Sequence, residues 1–342
     1  MRPASASAET PPHACPRPKS SGWWGYVDSR ARSRQDGNGG GPAGRPASSS
    51  AFMAHALHLL SAPTLDVDVV SHCNLNCASC YHFSPIARPR FLSRQSYERD
   101  LELLARVEGA DAYFRGIFLM GGEPLLHPEL PELVLATRRH LPTAKLRITS
   151  NGLLLRSMGP EFWDALRGAG CKLILTPYPI GLDYEGLIAL ARSHGVEAGM
   201  AGGSAEGDAV SRFLRTPLDE EGLQDRTASF NSCPLGGCCL QLLDGKIFPC
   251  NRGALLGIVN ERFGTEFTHD PDDYLELSAL CSVEDIDRMR RRAHPMCRYC
   301  ATSLDERIAW QRSTATREEW LLRADERQLL EAPDAGEARD PR

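Results

Sequence analysis

The chain of 342 residues lacks the features that mark proteins of membranes and of nucleic acids. No apolar run approaches the roughly 20 residues needed to span a bilayer, and no segment joins a basic start to an apolar centre as a signal peptide does. The formal net charge of −5 gives no reason to expect nucleic acid or an anionic membrane surface as a partner. We therefore expect a cytoplasmic protein, whose cysteines serve as metal ligands in a reducing compartment.

The first 52 residues contain too little apolar surface to form a core. They are rich in Pro, Gly, Ser, Ala and Arg, with a glycine-rich run at residues 37–42. Such a composition is typical of disorder. We predict a disordered leader over residues 1–52, and Met53 leaves open a start codon downstream of the first methionine.

Three of the 12 cysteines lie close together, at Cys73, Cys77 and Cys80. This C-x3-C-x2-C spacing brings three thiolates into one short loop. A [4Fe–4S] cube held by three thiolates keeps one iron without a protein ligand, and that iron can bind a substrate or cofactor. Zinc is the alternative, but structural zinc takes four ligands, usually from paired C-x2-C knuckles.

A second motif, Gly121–Pro124, directly follows the apolar run Gly116–Met120. That run has the character of a strand, as does Leu65–Val70 just before Cys73. Two glycines let the backbone approach a ligand closely, and Glu123 can accept a hydrogen bond from an ammonium group. Both motifs therefore follow strand ends.

Strands and helices alternate between residues 64 and 200. Further strand-like runs are Leu146–Thr149, Leu173–Leu175 and Val196–Met200, and amphipathic helical segments are Arg94–Glu108, Pro131–His140, Pro160–Ala169 and Tyr184–Ser193. Repeated strand–helix units indicate a parallel sheet with ligand chemistry at its carboxyl edge. We expect Ser150, Asn151 and Thr176, which also follow strands, at the same mouth.

Taken together, these motifs resemble the radical S-adenosylmethionine (radical SAM) enzymes. The resemblance implies an α/β fold, with a partial (β/α)6 barrel over residues 53–215, and a [4Fe–4S] cluster on the three-cysteine loop that binds S-adenosylmethionine. It implies cofactor contacts from Gly121, Gly122, Glu123 and Pro124, and we add Tyr81, Ser150, Asn151 and Thr176 as candidates for adenine and ribose. The residue before the third cysteine is usually aromatic in this family but is Ser79 here, so Tyr81 is our candidate for adenine stacking.

The other cysteine-rich region extends from Cys233 to Cys300. Asp244-Gly245 between two apolar runs predicts a hairpin, and Cys297 with Cys300 completes a four-ligand set. The order resembles the twitch domain, a shortened SPASM extension that carries one auxiliary [4Fe–4S] cluster. We predict a small cysteine-rich, twitch-like domain over residues 228–303, with the ligands Cys233, Cys250, Cys297 and Cys300, and Cys239 as the alternative to Cys233. A zinc knuckle at Cys297 and Cys300 stays open. Beyond it, residues 304–342 are predicted to form a charged helix, Leu304–Leu330, and a tail.

The function that the resemblance implies is reductive cleavage of S-adenosylmethionine to a deoxyadenosyl radical that abstracts hydrogen from a C–H bond. An external one-electron donor such as flavodoxin or ferredoxin is implied as a partner. An auxiliary cluster suits oxidation of a small sugar-like or cyclitol-like molecule. Epimerisation would instead need a thiol hydrogen donor, for which Cys281, Cys238 and Cys239 are the candidates. Two alternatives remain: a maturase that modifies a peptide, and a non-catalytic metal-binding scaffold. The sequence carries no readable code for the substrate.

Overall fold

The computed structural model describes residues 61–201 and 212–331. The predicted leader, residues 202–211 and the tail from residue 332 lie outside the described residues. Five parallel strands with their intervening helices form the first half, in this order: β1 (Thr64–Val70), α1 (Arg94–Ala105), α2 (Ala110–Tyr113), β2 (Gly116–Gly121), α3 (Leu130–His140), β3 (Leu146–Ser150), α4 (Pro160–Ala169), β4 (Lys172–Leu175), α5 (Tyr184–Ser193) and β5 (Ala198–Met200).

These strands form one side of an eight-stranded sheet with the order β5-β4-β3-β2-β1-β7-β8-β9. Each neighbouring pair from β1 to β5 is parallel. Helices cover such a sheet, so its strands are buried along most of their length. Strand β1, for example, is buried at six of its seven positions, Asp66 included. The predicted α/β fold with a parallel sheet is confirmed.

The helix α4 shows why the helical segments are readable in the sequence. Pro160 occupies its first turn, where a missing N–H costs nothing. Gly170 ends it in the left-handed conformation, with φ of 58°. Phe162, Trp163 and Leu166 form its buried face.

The second half of the chain adds a hairpin to the other edge of the sheet. Its elements, in order, are β6 (Arg212–Arg215), α6 (Arg226–Ser232), β7 (Cys239–Leu243), β8 (Lys246–Phe248), α7 (Asn251–Ala254), α8 (Leu256–Phe263), β9 (Leu275–Glu276), α9 (Val283–Arg290), β10 (Glu306–Ala309) and α10 (Ala324–Glu331). Strand β7 pairs in parallel with β1 and antiparallel with β8. The turn residues Asp244 and Gly245 have φ of 47° and 76°, as a tight hairpin turn requires. The predicted hairpin is therefore present.

Two hydrophobic cores support these two halves. The larger one lies between the parallel sheet and its helices. The smaller one joins Phe83, just after the three-cysteine loop, to Met296 and Tyr299 in the cysteine-rich region and to Trp320 and Leu321 near the end of the described chain. The smaller core thus ties the C-terminal segment to the cysteine-rich region.

The prediction of one charged helix over Leu304–Leu330 holds only for its last turns, α10. Residues Glu306–Ala309 instead form β10, which pairs antiparallel with β6 in a separate two-stranded sheet. A turn follows in which Ala315 has φ of 56° and the side chain of Glu319 accepts hydrogen bonds from Ser313 and Thr314. Local side-chain bonds of this kind compete with helix formation. Within the described residues, no helix is both long and apolar enough to cross a membrane.

Candidate active site

A cavity of about 270 Å³ opens at the carboxyl edge of strands β1 to β4. The structure brings ten of the predicted site residues to it: Cys73, Cys77, Cys80, Tyr81, Gly121, Gly122, Glu123, Ser150, Asn151 and Thr176. Pro124 does not line the cavity, because it is buried at the start of a 3-10 turn that follows Glu123. Ten of the residues predicted from the sequence to bind metal or cofactor therefore line one cavity, and their roles there stay predictions.

The three-cysteine loop reaches the cavity through two left-handed residues, Asn76 and Ser79, each with φ of 54°. Few non-glycine residues adopt this conformation. Ser79 is buried, and its hydroxyl donates to the backbone carbonyl of Glu319 at 2.9 Å. The small residue at this position therefore faces the protein rather than the cavity.

The two glycines of the second motif let one strand end approach another. A Cβ on Gly122 would lie 1.8 Å from the carbonyl oxygen of His72, and one on Gly121, where φ is 113°, would lie 2.5 Å from that of Val70. Here Gly122 N–H donates to Val70 at 2.7 Å and Glu123 N–H to His72 at 3.0 Å. The sequence suggested close approach of this backbone to a ligand. The structure shows a close approach to the first residues of the three-cysteine loop.

The carboxylate of Glu123 is buried and joins β2 to the end of β3. Oε1 accepts from the Ser150 hydroxyl at 2.7 Å and from Leu125 N–H at 3.1 Å, and Oε2 accepts from Asn151 N–H at 2.9 Å. Burial raises its pKa to about 7 despite these donors. Because each carboxylate oxygen can accept two bonds, Oε2 retains capacity for one more donor, such as an ammonium group.

Burial also governs the protonation of the thiols. It raises the pKa of Cys77 to about 12 and that of Cys80 to about 11. Without a metal, both therefore carry their protons at neutral pH. Iron ligation, which requires thiolates, would release those protons.

A polar group that the sequence did not reveal lines the side of the cavity between β1 and α7. His82 Nδ1 lies 2.9 Å from Asp68 Oδ2, and His82 Nε2 lies 3.4 Å from Asn251 Nδ2. Both His82 and Asn251 line the cavity. Gln241 Nε2 donates to Asp68 Oδ1 at 3.3 Å. These residues come from four separate parts of the chain, so no local pattern could have identified them.

The C-terminal segment 310–320, here called the strap, covers the three-cysteine loop. Ala78 N–H donates to Gln311 O at 2.9 Å, and Ser313 N–H donates to Asn76 O at 2.8 Å. Two indole groups also bond to the loop: Trp310 Nε1 donates to Cys77 Sγ at 3.2 Å and Trp320 Nε1 to Cys80 O at 3.1 Å. The strap carries no sequence motif, so it was not predicted from the sequence.

The other four predicted ligands, Cys233, Cys250, Cys297 and Cys300, line a second, smaller cavity of about 30 Å³. Its other walls include Phe230, Pro249 and Met296. Burial raises the pKa of Cys233 and of Cys297 to about 12, and that of Cys250 well above its usual range. The structure thus brings together the four cysteines that were chosen by spacing.

Cys239, the alternative to Cys233, lies elsewhere. It begins β7 opposite Thr64, at the amino end of β1, and its Sγ lies 3.7 Å from that of Cys238. His294 lines the second cavity, but its ring nitrogens each lie 2.9 Å from a backbone carbonyl oxygen, those of Asp272 and Met289. The geometry therefore favours Cys233 over both.

Cys281 lies at the edge of the sheet opposite the cavity. Its carbonyl oxygen accepts a hydrogen bond from Glu108 N–H at 2.9 Å, and Glu108 precedes β2, which places it at the amino edge of the sheet. Cys281 and Cys238 do not line the cavity. The structure thus does not support the predicted role of Cys281 as hydrogen donor. Cysteine spacing alone does not indicate which edge of the sheet a thiol occupies.

Neither set of cysteines is arranged for a single ion. Within residues 61–201 and 212–331, no group of three or more His, Cys, Asp or Glu side chains is positioned to hold one metal ion. A structural zinc would draw four thiolates to about 2.3 Å from one point.

Comparison with known proteins finds a similarity over about a third of the chain. Residues 67–184 match the family model of the radical SAM superfamily. The three thiols at the open cavity, those of Cys73, Cys77 and Cys80, are suitable ligands for the [4Fe–4S] cluster on which that family's chemistry depends.

Curated relatives match about a third of this chain. GTP 3',8-cyclase of Nostoc sp. (strain PCC 7120 / SAG 25.82 / UTEX 2576) is 32% identical over 103 residues, which are 30% of this chain and 31% of that protein. GTP 3',8-cyclase 1 of Mycobacterium tuberculosis (strain ATCC 25618 / H37Rv) is 30% identical over 117 residues, 32% of this chain and 30% of that protein. The chain thus spans about a third of the length of these relatives.

Solved structures give weaker likenesses. BtrN in complex with AdoMet and 2-DOIA is 17% identical, with a TM-score of 0.42, over 69% of this chain and 92% of that one. Streptococcus suis SuiB is 18% identical, with a TM-score of 0.32, over 43% of this chain and 36% of that one.

Proposed function

We propose that this chain is a radical SAM oxidoreductase that oxidises a small sugar-like or cyclitol-like molecule. The observation that carries the proposal is the presence of two distinct cysteine sites in one fold. One has three thiols at an open cavity, and the other has four thiols in a closed one. The first has the ligand number of a substrate-binding cluster and the second that of an electron-transfer cluster.

At the first site, the cluster would be held by Cys73, Cys77 and Cys80. When bound, it supplies the electron for reductive cleavage of S-adenosylmethionine. The chain's own residues would orient that cofactor: Glu123, held by Ser150 and Asn151, would accept a hydrogen bond from its ammonium group. Tyr81 and Thr176 are the candidates for its adenosyl part, since both line the cavity. An external one-electron donor such as flavodoxin or ferredoxin completes the system.

At the second site, Cys233, Cys250, Cys297 and Cys300 would hold an auxiliary cluster that accepts the electron lost by the substrate radical. At each site, one predicted ligand is followed in the chain by a residue that lines the larger cavity. Tyr81 directly follows the ligand Cys80, and Asn251 directly follows the ligand Cys250. A substrate beside His82 and Asn251 would therefore lie between the source of the radical and the acceptor of its electron.

The position of the remaining cysteines favours oxidation over epimerisation. Epimerisation requires a hydrogen donor on one face of the substrate, opposite the face from which the hydrogen atom was abstracted. Among the described residues that line the cavity, the cysteines are Cys73, Cys77 and Cys80, which are all assigned to the cluster. Oxidation needs no thiol donor, and the four-thiol site provides the acceptor that it does need.

The test uses the double variant Cys297→Ala/Cys300→Ala, assayed anaerobically with a panel of monosaccharides and aminocyclitols. Wild-type protein should contain about eight irons, four in each cluster, and should form oxidised product together with deoxyadenosine. The variant should lose about half its iron and still cleave S-adenosylmethionine slowly, but form no oxidised product. Unchanged iron content in the variant would contradict the auxiliary site.

Deuterated water separates oxidation from epimerisation. A thiol exchanges its hydrogen with solvent and would deliver deuterium to the product carbon. We expect a product two hydrogens lighter than the substrate and without solvent deuterium. A deuterated product with the substrate's connectivity would establish the epimerase instead.

A further inference from the structure

The thiol of Cys77 receives a hydrogen bond from a residue that lies 233 positions later in the chain. Trp310 Nε1–H donates to Cys77 Sγ at 3.2 Å. The other donors near this cluster site come from the barrel: Leu75 N–H lies 3.4 Å from Cys73 Sγ, and Asn151 Nδ2 lies 3.7 Å from it. The sulfur of Cys77 is thus bonded to a side chain from outside the region that matches the radical SAM family model.

The backbone around Trp310 fixes this contact. On one side, β10 ends at Ala309 and pairs with β6. On the other, Gln311 O accepts from Ala78 N–H at 2.9 Å, and an isolated bridge joins Arg312 to Cys77 itself. The Trp310 ring also lies 6.2 Å from that of Tyr178, which lines the cavity. Because the backbone is paired on both sides of Trp310, its indole has little freedom to turn away from the sulfur.

We propose that Trp310 raises the reduction potential of the cluster on the three-cysteine loop. Reduction adds negative charge to the cluster and its thiolates, and an N–H donor stabilises the more negative state more strongly. Hydrogen bonds to the sulfurs are among the features that set such potentials. Trp310 is thus a positioning and tuning residue that acts through Cys77. The inference rests on the proposed cluster, but on neither the substrate nor the auxiliary site.

The test is a potentiometric titration of the reconstituted full chain, followed by electron paramagnetic resonance. The signal of the first cluster is the one that changes when S-adenosylmethionine is added, since only that cluster has an open iron. Trp310→Phe should lower its midpoint potential by about 59 mV, which corresponds to a tenfold shift in a one-electron equilibrium. The potential of the other cluster should not move.

Two controls separate the hydrogen bond from loss of packing. Trp163→Phe removes an indole donor that bonds to Met158 O at 3.2 Å in the helical layer, and should leave both potentials unchanged. Replacement of Trp310 by β-3-benzothienylalanine keeps the shape of the indole but substitutes sulfur for the N–H, and should reproduce the effect of Trp310→Phe. If the phenylalanine variant fails to fold, this analogue decides.

An unchanged potential in the benzothienyl variant would overturn the proposal while the proposed function stands. If wild-type protein shows no signal that responds to S-adenosylmethionine, the proposed function fails and the inference fails with it. The two failures are therefore distinguishable in one set of samples.

Discussion

The two cysteine sites of this chain are built in opposite ways. Cys73, Cys77 and Cys80 lie within eight consecutive residues and face a cavity of about 270 Å³ that polar side chains share. Cys233, Cys250, Cys297 and Cys300 come from distant parts of the chain and enclose about 30 Å³ among apolar walls. A site that must admit a ligand can be encoded locally, whereas a closed site requires the fold to bring its ligands together.

The largest effect is expected when the open, three-cysteine site is removed and the closed, four-cysteine site is kept. Simultaneous replacement of Cys73, Cys77 and Cys80 by Ala should abolish formation of deoxyadenosine, because no thiolate remains to hold the cluster. About four irons should remain in the closed site. Chromatography of the products and iron analysis measure both quantities.

Cys171→Ala is the matched control for this triple variant, since Cys171 is a buried thiol in the larger core. It should retain both cleavage and full iron content. Undiminished deoxyadenosine from the triple variant would refute the assignment of the open site, and loss of all iron would show that the two sites do not assemble independently.

A smaller but still large effect is expected from Gly122→Ala. Its Cβ would lie 1.8 Å from the carbonyl oxygen of His72, so the end of β2 must move away from the three-cysteine loop. We expect a loss of about 1 to 3 kcal/mol in the free energy of unfolding and loss of S-adenosylmethionine binding. Thermal unfolding and a binding titration measure the two changes.

Gly168→Ala is the control for the glycine substitution. Gly168 lies in α4, and a Cβ there would meet nothing within 4 Å. Alanine should stabilise this helix by about 0.5 to 1 kcal/mol. If the two variants had equal stability and equal affinity for S-adenosylmethionine, the close approach of β2 to the three-cysteine loop would have no role in the open site.

The smallest of the three effects concerns Glu123→Gln, which keeps the side chain's size and removes its charge. A charge-assisted hydrogen bond is worth about 1.5 to 3 kcal/mol, so affinity for S-adenosylmethionine should fall roughly tenfold. Because burial raises the pKa of Glu123 to about 7, its carboxylate forms as pH rises through neutrality. Wild-type affinity should therefore increase from pH 6 to pH 7.5.

Calorimetric titration of the reconstituted protein at several pH values measures this dependence. The glutamine variant should bind with an affinity that does not change over the same range. If both proteins bind equally well, the backbone of Gly121 and Gly122 alone would hold the ammonium group.

The sequence analysis succeeded where chemistry and spacing are local. The strands from Thr64 to Met200 follow from hydrophobic periodicity. Ligand spacing and the Asp244-Gly245 turn indicated which cysteines lie together, whereas their role as cluster ligands stays a prediction. It could not reach contacts between distant segments. The group of Asp68, His82 and Asn251 has no pattern of its own. The segment after Leu304 looked like a charged helix because the pairing of β10 with β6 depends on the finished fold.

The interpretation of the two glycines as a ligand contact stays a prediction, and it did not identify their partner within the chain. Glycine marks a close approach, but composition does not say which partner approaches. At Gly122 the partner is the carbonyl of His72, which belongs to the chain itself.

The strap also has a consequence for the order in which this protein matures. Trp310 is synthesised 233 residues after Cys77, which at about 5 to 20 residues per second takes roughly 12 to 47 seconds. During that interval the three-cysteine loop lacks its bonds to Gln311, Ser313 and the two indoles. We therefore expect the loop to be accessible for cluster insertion during this interval and to be covered once the strap has been synthesised.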